Sequence, residues 1–168
     1  MSSPNQKPGQ PQADEKEGKY LTFALAGETY GINIMKIKEI IGMMPVRSLP
    51  QTPEYLKGVV NLRGRVIPVM DLRLRFNMGA VAYDDRTCII IVEIAAASGA
   101  FIVGLVVDSV SEVLSIKADA IETTPDFGTR LDTDYIRGMA KSDGDVKILL
   151  NIDHVLTEND FSKMEQAA

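Results

Sequence analysis

The sequence predicts a mainly β protein, a barrel or a sandwich, built from two copies of one small unit. Three observations support this: short apolar segments are bounded by turn residues, long helical periodicity is absent, and an internal repeat recurs after 80 residues. Short strands with frequent turns are typical of antiparallel barrels and sandwiches. A parallel sheet would instead need helices that alternate with the strands.

The strands are predicted from apolar patterning. The segment "YLTFALAGETYGINI" (20–34) reads as two strands around a turn at residues 26–28. Tyr30, Ile32 and Ile34 alternate with small or polar residues, as in a half-buried strand. The continuous apolar segments "TCIIIVEIA" and "FIVGLVV" are predicted to be core strands, with "AAASGA" as the hairpin connection between them.

The repeat defines the two units. The segment "YLKGVVNLRGRVIPVMDL" (55–72) aligns without a gap with "YIRGMAKSDGDVKILLNI" (135–152), and "GINIMKIKEII" (31–41) aligns with "GLVVDSVSEVL" (104–114). The copies span about 20–80 and about 86–156, and a unit of roughly 60–70 residues is only marginally stable alone. We therefore expect the two copies to pack together. The alignment leaves open whether a strand from one copy completes the barrel of the other.

Each copy is predicted to end in a short helix. Asp71 is the expected N-cap in the first copy, and Asn151 or Asp153 in the second. Residues 157–168 are expected to form a C-terminal helix or tail. Residues 1–18 have almost no apolar side chains to offset the entropy of ordering, so this segment is predicted to be a disordered tail.

Composition excludes several classes of protein. The longest uncharged apolar run is seven residues, Phe101 to Val107, which is too short to span a membrane. The polar N-terminus lacks the apolar core of a secretory signal. A single cysteine, Cys88, and a single histidine, His154, cannot form a structural zinc quartet, and a reducing cytoplasm is the simplest compartment.

The net charge of −5 gives no general attraction to nucleic acid, but residues 57–75 are locally basic. This stretch has three possible interpretations: a solvated face, a surface for an acidic partner protein, or a nucleic-acid site. The third is the weakest, because no aromatic side chain is interleaved with the basic ones.

The repeat also separates architecture from recognition, since residues that the fold needs should recur in both copies. Gly58 and Gly64 recur, which indicates backbone requirements at a helix or turn end and at a hairpin position. Glu39 recurs as Glu112. Arg63 does not recur, because its counterpart is Asp143. An exposed arginine at the tip of an apolar hairpin favours recognition of a partner's carboxylate.

No catalytic motif is present. His154 lies on the proposed final helix without a nucleophile signature, and the phosphate-binding, zinc-protease and dinucleotide-binding motifs are absent. A pair of carboxylates could in principle hydrolyse a glycoside, but the chain has no Trp to stack a sugar. We expect a protein that is not an enzyme and that needs no cofactor or metal.

Three segments, "YGINIMKIKEI", "TPEYLKGVVNLRGRVIPVMDLRLRF" and "VGLVVDSVSEVLSI", closely resemble the CheW family of bacterial chemotaxis adaptors. The likeness runs from about Tyr20 to Leu156, so a CheW-like domain is expected at 19–156. The resemblance implies two five-stranded SH3-like barrels packed side by side, with short helices.

The resemblance also implies a function: coupling transmembrane chemoreceptors to the histidine kinase CheA, without catalysis, at cytoplasmic receptor arrays. Positions that match receptor-binding residues of the family are Ile37, Glu39, Gly58 and Arg63. Positions that match residues implicated in binding the CheW-like domain of CheA are Gly64, Cys88, Ile89 and Gly104. The alternatives are a coupler in a chemosensory pathway other than motility and, from another class, a small nucleic-acid-binding barrel.

Overall fold

The computed structural model describes residues 17–97, 99–122, 135–142, 144–157 and 160. Within these ranges the strands are β1 (Gly18–Leu25), β2 (Glu28–Asn33), β3 (Ile37–Gly42), β4 (Leu56–Leu62), β5 (Arg65–Asp71), β6 (Cys88–Ala96), β7 (Gly99–Val107), β8 (Ser109–Ile116), β9 (Ile121–Glu122), β10 (Ile136–Ser142) and β11 (Asp145–Leu150). Helix α1 is Leu72–Arg75, and 3₁₀ turns lie at Ile34–Lys36, Ala118–Ala120 and Ile152–His154.

The strands form two curled sheets. Barrel 1 has the strand order β3-β6-β7-β5-β4, and barrel 2 has the order β8-β1-β2-β11-β10-β9. Neighbours are antiparallel except β5 with β7 and β2 with β11. The prediction of a mainly β fold with two SH3-like barrels is confirmed. Barrel 1 has the expected five strands, whereas barrel 2 gains a sixth, the two-residue strand β9.

The two copies of the repeat exchange their first hairpins. β1 and β2 belong to the first copy but lie in barrel 2, between β8 and β11 of the second copy. β6 and β7 belong to the second copy but lie in barrel 1, between β3 and β5. The chain therefore crosses between barrels twice, at residues 34–36 and at Asp108.

An ion pair holds each crossover. The residue at the crossover is the acid in one pair and the base in the other. Asp108 at the second crossover accepts from Arg73, with Nε 2.7 Å from Oδ1 and Nη2 2.8 Å from Oδ2. Lys36 at the first crossover donates to Asp153, with Nζ 2.8 Å from Oδ2. The 80-residue shift places Arg73 over Asp153, so the same position carries opposite charges in the two copies.

The repeat extends to individual hydrogen bonds. Hairpins β4–β5 and β10–β11 each contain a register shift two residues into the first strand. Below the first hairpin, the Asp71 amide donates to the Tyr55 carbonyl at 2.8 Å, and below the second the Asn151 amide donates to the Tyr135 carbonyl at 2.7 Å. Equivalent sequence therefore gives equivalent local geometry in both barrels.

Among the described residues, three apolar clusters form the core. One lies inside barrel 1, a second lies inside barrel 2, and the largest contains side chains from both sheets and joins the barrels. Side chains alternate along β6, where Ile89 and Ile91 enter the interior of barrel 1 while Ile90 and Val92 enter the shared cluster. This period of two explains why the segment reads as a continuous apolar run, since both of its faces are buried.

Most predicted elements are confirmed, with shifts at their ends. The first turn consists of Ala26 and Gly27, both with positive φ, and β1 already begins at Gly18, a residue that the sequence analysis placed in the tail. The connection between β6 and β7 is shorter than predicted, because the strands extend into it. Residues 1–16 and most of 157–168 lie outside the described part of the chain.

The helix caps differ between the copies. Asp71 caps α1 as predicted, with its carboxylate accepting from the amides of Arg73 and Leu74. Asn151 occupies the equivalent position but makes no side-chain cap bond, and the predicted helix is a 3₁₀ turn of three residues. Across the described ranges, no helix is long and apolar enough to cross a membrane.

Candidate functional site

The tip of hairpin β4–β5 is a two-residue turn formed by Arg63 and Gly64. Both have positive φ, 51° and 86°, which is the backbone of a type I′ turn. The Asn61 side chain accepts from the Gly64 amide at 2.9 Å and braces the turn. Asn or Gly would adopt this conformation more easily than arginine. The arginine is therefore better explained by its side chain, which is 69% exposed, than by the turn.

Arg63 pairs with Glu39 on β3. Its two terminal nitrogens donate to the two carboxylate oxygens, with Nη1 3.1 Å from Oε1. These hydrogen bonds lower the pKa of the Glu39 carboxyl and raise the pKa of the Arg63 guanidinium. Both residues were expected at one site from the sequence, but their pairing with each other was not predicted. In the second copy, Asp143 and Glu112 occupy the equivalent positions, and two acids cannot form such a pair.

A groove of about 740 Å³ opens beside this pair. Its apolar floor continues the interior of barrel 1, and its rim carries a second ion pair, Lys38 with Glu93 at 3.5 Å. Its lining residues include Leu62, Ile67, Ile91 and Ile102, with Arg65 on the rim. An apolar floor within a charged rim suits an amphipathic segment of a partner better than a small polar ligand.

The other two residues expected at the receptor site do not line this groove. Ile37 begins β3 and is half-buried against the shared core. Gly58 has a φ of 145°, and a Cβ there would lie 1.9 Å from the Arg47 carbonyl oxygen. Arg47 exchanges two hydrogen bonds with Val59, and this bridge joins the segment after β3 to β4. Gly58 thus permits closure of barrel 1, and it lies within a strand, not at the predicted helix or turn end.

The residues expected at the kinase site fall into two groups. Gly64 is exposed in the turn, and Cys88 is half-buried at the start of β6. Ile89 and Gly104 are buried on adjacent strands, and a Cβ on Gly104 would lie 2.8 Å from Cγ2 of Ile89. Both are buried in barrel 1, so a change at either residue would alter the shape of the barrel.

The locally basic stretch is largely engaged within the molecule. Arg63 binds Glu39, Arg73 binds Asp108, and the Arg75 Nε donates to the Val155 carbonyl at 2.8 Å. Lys57 and Arg65 are the remaining basic residues of this stretch. These internal contacts leave fewer positive charges for phosphates than the sequence alone indicates.

Little in the described ranges suggests chemistry. No group of three or more His, Cys, Asp or Glu side chains there could hold a metal ion. His154 ends a 3₁₀ turn, with Nδ1 3.4 Å from Nδ2 of Asn151. The arrangement can pair charges and bury apolar surface, which are the requirements of a docking site.

Comparisons with known proteins agree with this geometry. Residues 19–160 match the family model of the CheW-like domain. A chemotaxis protein CheW from Klebsiella aerogenes is 37% identical over 150 residues, covering 89% of this chain and 88% of the relative. One from Bacillus subtilis is 35% identical over 123 residues, covering 73% and 76%.

A solved structure is also similar. The crystal structure of the scaffolding protein TtCheW from Thermoanaerobacter tengcongensis matches with a TM-score of 0.76 and 36% identity, covering 86% of this chain and 95% of that one. The family match, the identity over most of both chains and the two-barrel architecture agree, and the chain belongs to the CheW-like domain family.

Proposed function

We propose that this protein is a non-catalytic adaptor that couples transmembrane chemoreceptors to the histidine kinase CheA in the cytoplasm. The observation that carries the proposal is the match of residues 19–160 to the CheW-like domain. The names of its relatives, chemotaxis proteins and a scaffolding protein, support it. Both docking surfaces of the proposal lie on barrel 1.

The receptor surface of the proposal is the groove beside Arg63 and Glu39, with Ile37 and Gly58 in supporting positions. A helical receptor tip would place apolar side chains on the floor of the groove and polar ones against its rim, a helix-in-groove mode. Because Arg63 is already paired with Glu39, a partner carboxylate would either share the guanidinium with the Glu39 carboxylate or displace that carboxylate from it. The pair also holds the arginine in one place before binding, which lowers the entropy cost of recognition.

The kinase surface of the proposal is the part of barrel 1 defined by Gly64, Cys88, Ile89 and Gly104. In the proposal, exposed Gly64 and half-buried Cys88 would contact a partner barrel of CheA, whereas buried Ile89 and Gly104 would act through the shape of the sheet. This assignment separates direct contacts from residues whose replacement would weaken binding by distorting the barrel.

Holding both partners raises the concentration of kinase beside receptor. Any effect of receptor state on kinase state through the adaptor is then a coupling free energy between the two surfaces, and it is reciprocal for binding. Neither step requires bond chemistry from the adaptor.

The proposal is tested by reconstitution. A receptor cytoplasmic fragment, soluble CheA and labelled ATP are mixed with or without the purified chain, and CheA autophosphorylation is measured. We expect receptor-dependent activation only when the chain is present. Equal activation without the chain would contradict the proposal, as would binding of neither partner.

A further inference from the structure

Arg75 contacts both copies of the repeat at equivalent positions. Its guanidinium carbon lies 5.1 Å from the ring centroid of Tyr55 and 4.8 Å from that of Tyr135, residues that the 80-residue shift superimposes. Its Nε donates to the carbonyl of Val155, the residue that the same shift places over Arg75 itself. One side chain therefore occupies the place where the two copies meet.

The two tyrosines mark the bases of the two hairpins. Tyr55 precedes β4, and its carbonyl accepts from the amide of Asp71, the last residue of β5. Tyr135 precedes β10, and its carbonyl accepts from the Asn151 amide after β11. The hairpins belong to different sheets and share no backbone ladder. A guanidinium between the two rings thus links the base of a hairpin in barrel 1 to the base of its equivalent in barrel 2.

Further contacts order this junction. The Phe76 ring lies 5.4 Å from the Tyr135 ring, and the Tyr55 hydroxyl donates to the buried Asp160 carboxylate. Burial and the Asp160 carboxylate raise the pKa of Tyr55 to about 12, so the tyrosine remains a neutral donor at physiological pH. Loss of Arg75 would leave Tyr55 bound to Asp160 and Tyr135 against Phe76, but it would remove the guanidinium that contacts both tyrosine rings.

We propose that Arg75 couples the bases of hairpins β4–β5 and β10–β11, so that the two bases open as one unit. A partner bound at the Arg63 tip of the first hairpin would then also stabilise the second hairpin. This second part rests on the proposed function, whereas the first part concerns the protein alone. Cation–π contacts at a partly desolvated site are strong enough to couple two such openings.

Native-state hydrogen exchange of the full chain tests the first part. In the wild type we expect the Asp71 and Asn151 amides to show the same protection and the same dependence on urea, as members of one cooperative unit. In Arg75→Met we expect the Asn151 amide to exchange about tenfold faster relative to Asp71. Unequal protection in the wild type, or an unchanged ratio in the variant, would overturn the coupling. A general loss of stability accelerates both amides together and does not change the ratio.

Two further variants make this comparison secure. Arg65→Met removes another arginine, one with no ion pair among the described residues, and should leave the ratio at its wild-type value. If the ratio of the Asn151 and Asp71 exchange rates changed as much in Arg65→Met as in Arg75→Met, the effect would not be specific to the junction. If Arg75→Met does not fold, Arg75→Lys is measured by the same criterion, because lysine keeps the charge but lacks the planar face and the Nε donor.

The second part of the proposal, that a bound partner also stabilises the second hairpin, is tested with a receptor cytoplasmic fragment. We expect the bound fragment to slow exchange of the Asn151 amide in the wild type and not in Arg75→Met, although the fragment binds both. Equal slowing in both proteins, or none in the wild type with the fragment bound, would overturn this part. If the fragment does not bind the wild type, the proposed function fails, and the comparison without a partner still decides the role of Arg75.

Discussion

Gly104 and Ile89 form a packing pair whose coupling can be measured. Gly104→Ala adds a Cβ 2.8 Å from Cγ2 of Ile89, well inside the usual 3.5–4.0 Å separation of carbon atoms. Ile89→Leu removes the branch at Cβ and with it this contact, at nearly constant volume. The second substitution should therefore relieve the strain that the first one introduces.

The structure sets the expected magnitude. Overpacking a buried site costs about 1–3 kcal/mol, and Gly→Ala recovers about 0.4–1 kcal/mol through the unfolded chain. We expect Gly104→Ala to lower the free energy of unfolding by about 1–2 kcal/mol, and Ile89→Leu alone by less than about 1.5 kcal/mol. The double variant should be more stable than the sum of the single changes by about 1 kcal/mol, since the residues are in contact.

Urea unfolding of the four proteins gives the coupling, and affinity for the CheW-like domain of CheA is measured in parallel. If Gly104 acts through packing, the double variant regains CheA binding together with stability. Additive single effects, or a fully stable Gly104→Ala, would contradict the predicted strain between Gly104 and Ile89. Restored stability without restored binding would instead identify Gly104 as part of the contact surface.

Three other predictions address separate features. Arg63→Asp should strongly weaken receptor binding while folding and CheA affinity stay near wild type, and an unchanged receptor affinity would remove Arg63 from the interface. Arg73→Met and Asp108→Asn should show a coupling of about 1 kcal/mol in a double-mutant cycle at pH 7. The hydrogen bond from Arg73 lowers the folded-state pKa of Asp108, so this stabilisation is complete above the unfolded pKa of about 3.9 and is lost as pH falls through the folded value. Urea unfolding of the four proteins at pH 7 and at about pH 2 checks this loss of coupling. Equal coupling energies at the two pH values would contradict the expected pH dependence. His154→Ala should leave receptor-coupled kinase activation intact, and a large loss in the kinase assay would indicate a chemical role.

The fold class follows from sequence because apolar patterning and repetition can be read from the order of residues without knowing which strands pair. Alternation predicted a half-buried strand through Tyr30, Ile32 and Ile34, which holds for Tyr30 and Ile32, whereas Ile34 begins the 3₁₀ turn that follows β2. The 80-residue repeat appears in the fold as equivalent hairpins in the two barrels. Exchange of hairpins between the copies is different. Two barrels built with or without exchange would show the same repeat in the same order, so only the strand pairing decides between them.

Long-range partners explain most of what the sequence did not reveal. Arg63 stood out because its counterpart is acidic, yet its partner Glu39 lies 24 positions away, and nothing in either segment identifies the pair. Arg75 looked like one more basic residue in a charged stretch, because two rings 80 positions apart in sequence meet only in the fold. The opposite charges of Arg73 and Asp153, visible by extending the repeat by one residue, were an available signal for the crossovers.

The most direct test of the adaptor account is whether both partners bind at once. Analytical ultracentrifugation of the purified chain with a receptor cytoplasmic fragment and the CheW-like domain of CheA gives the composition of the complex. We predict a single ternary species, with neither partner displacing the other as its concentration rises. Two binary complexes that compete for the chain would contradict two separate surfaces, and an adaptor of the proposed kind would then be ruled out.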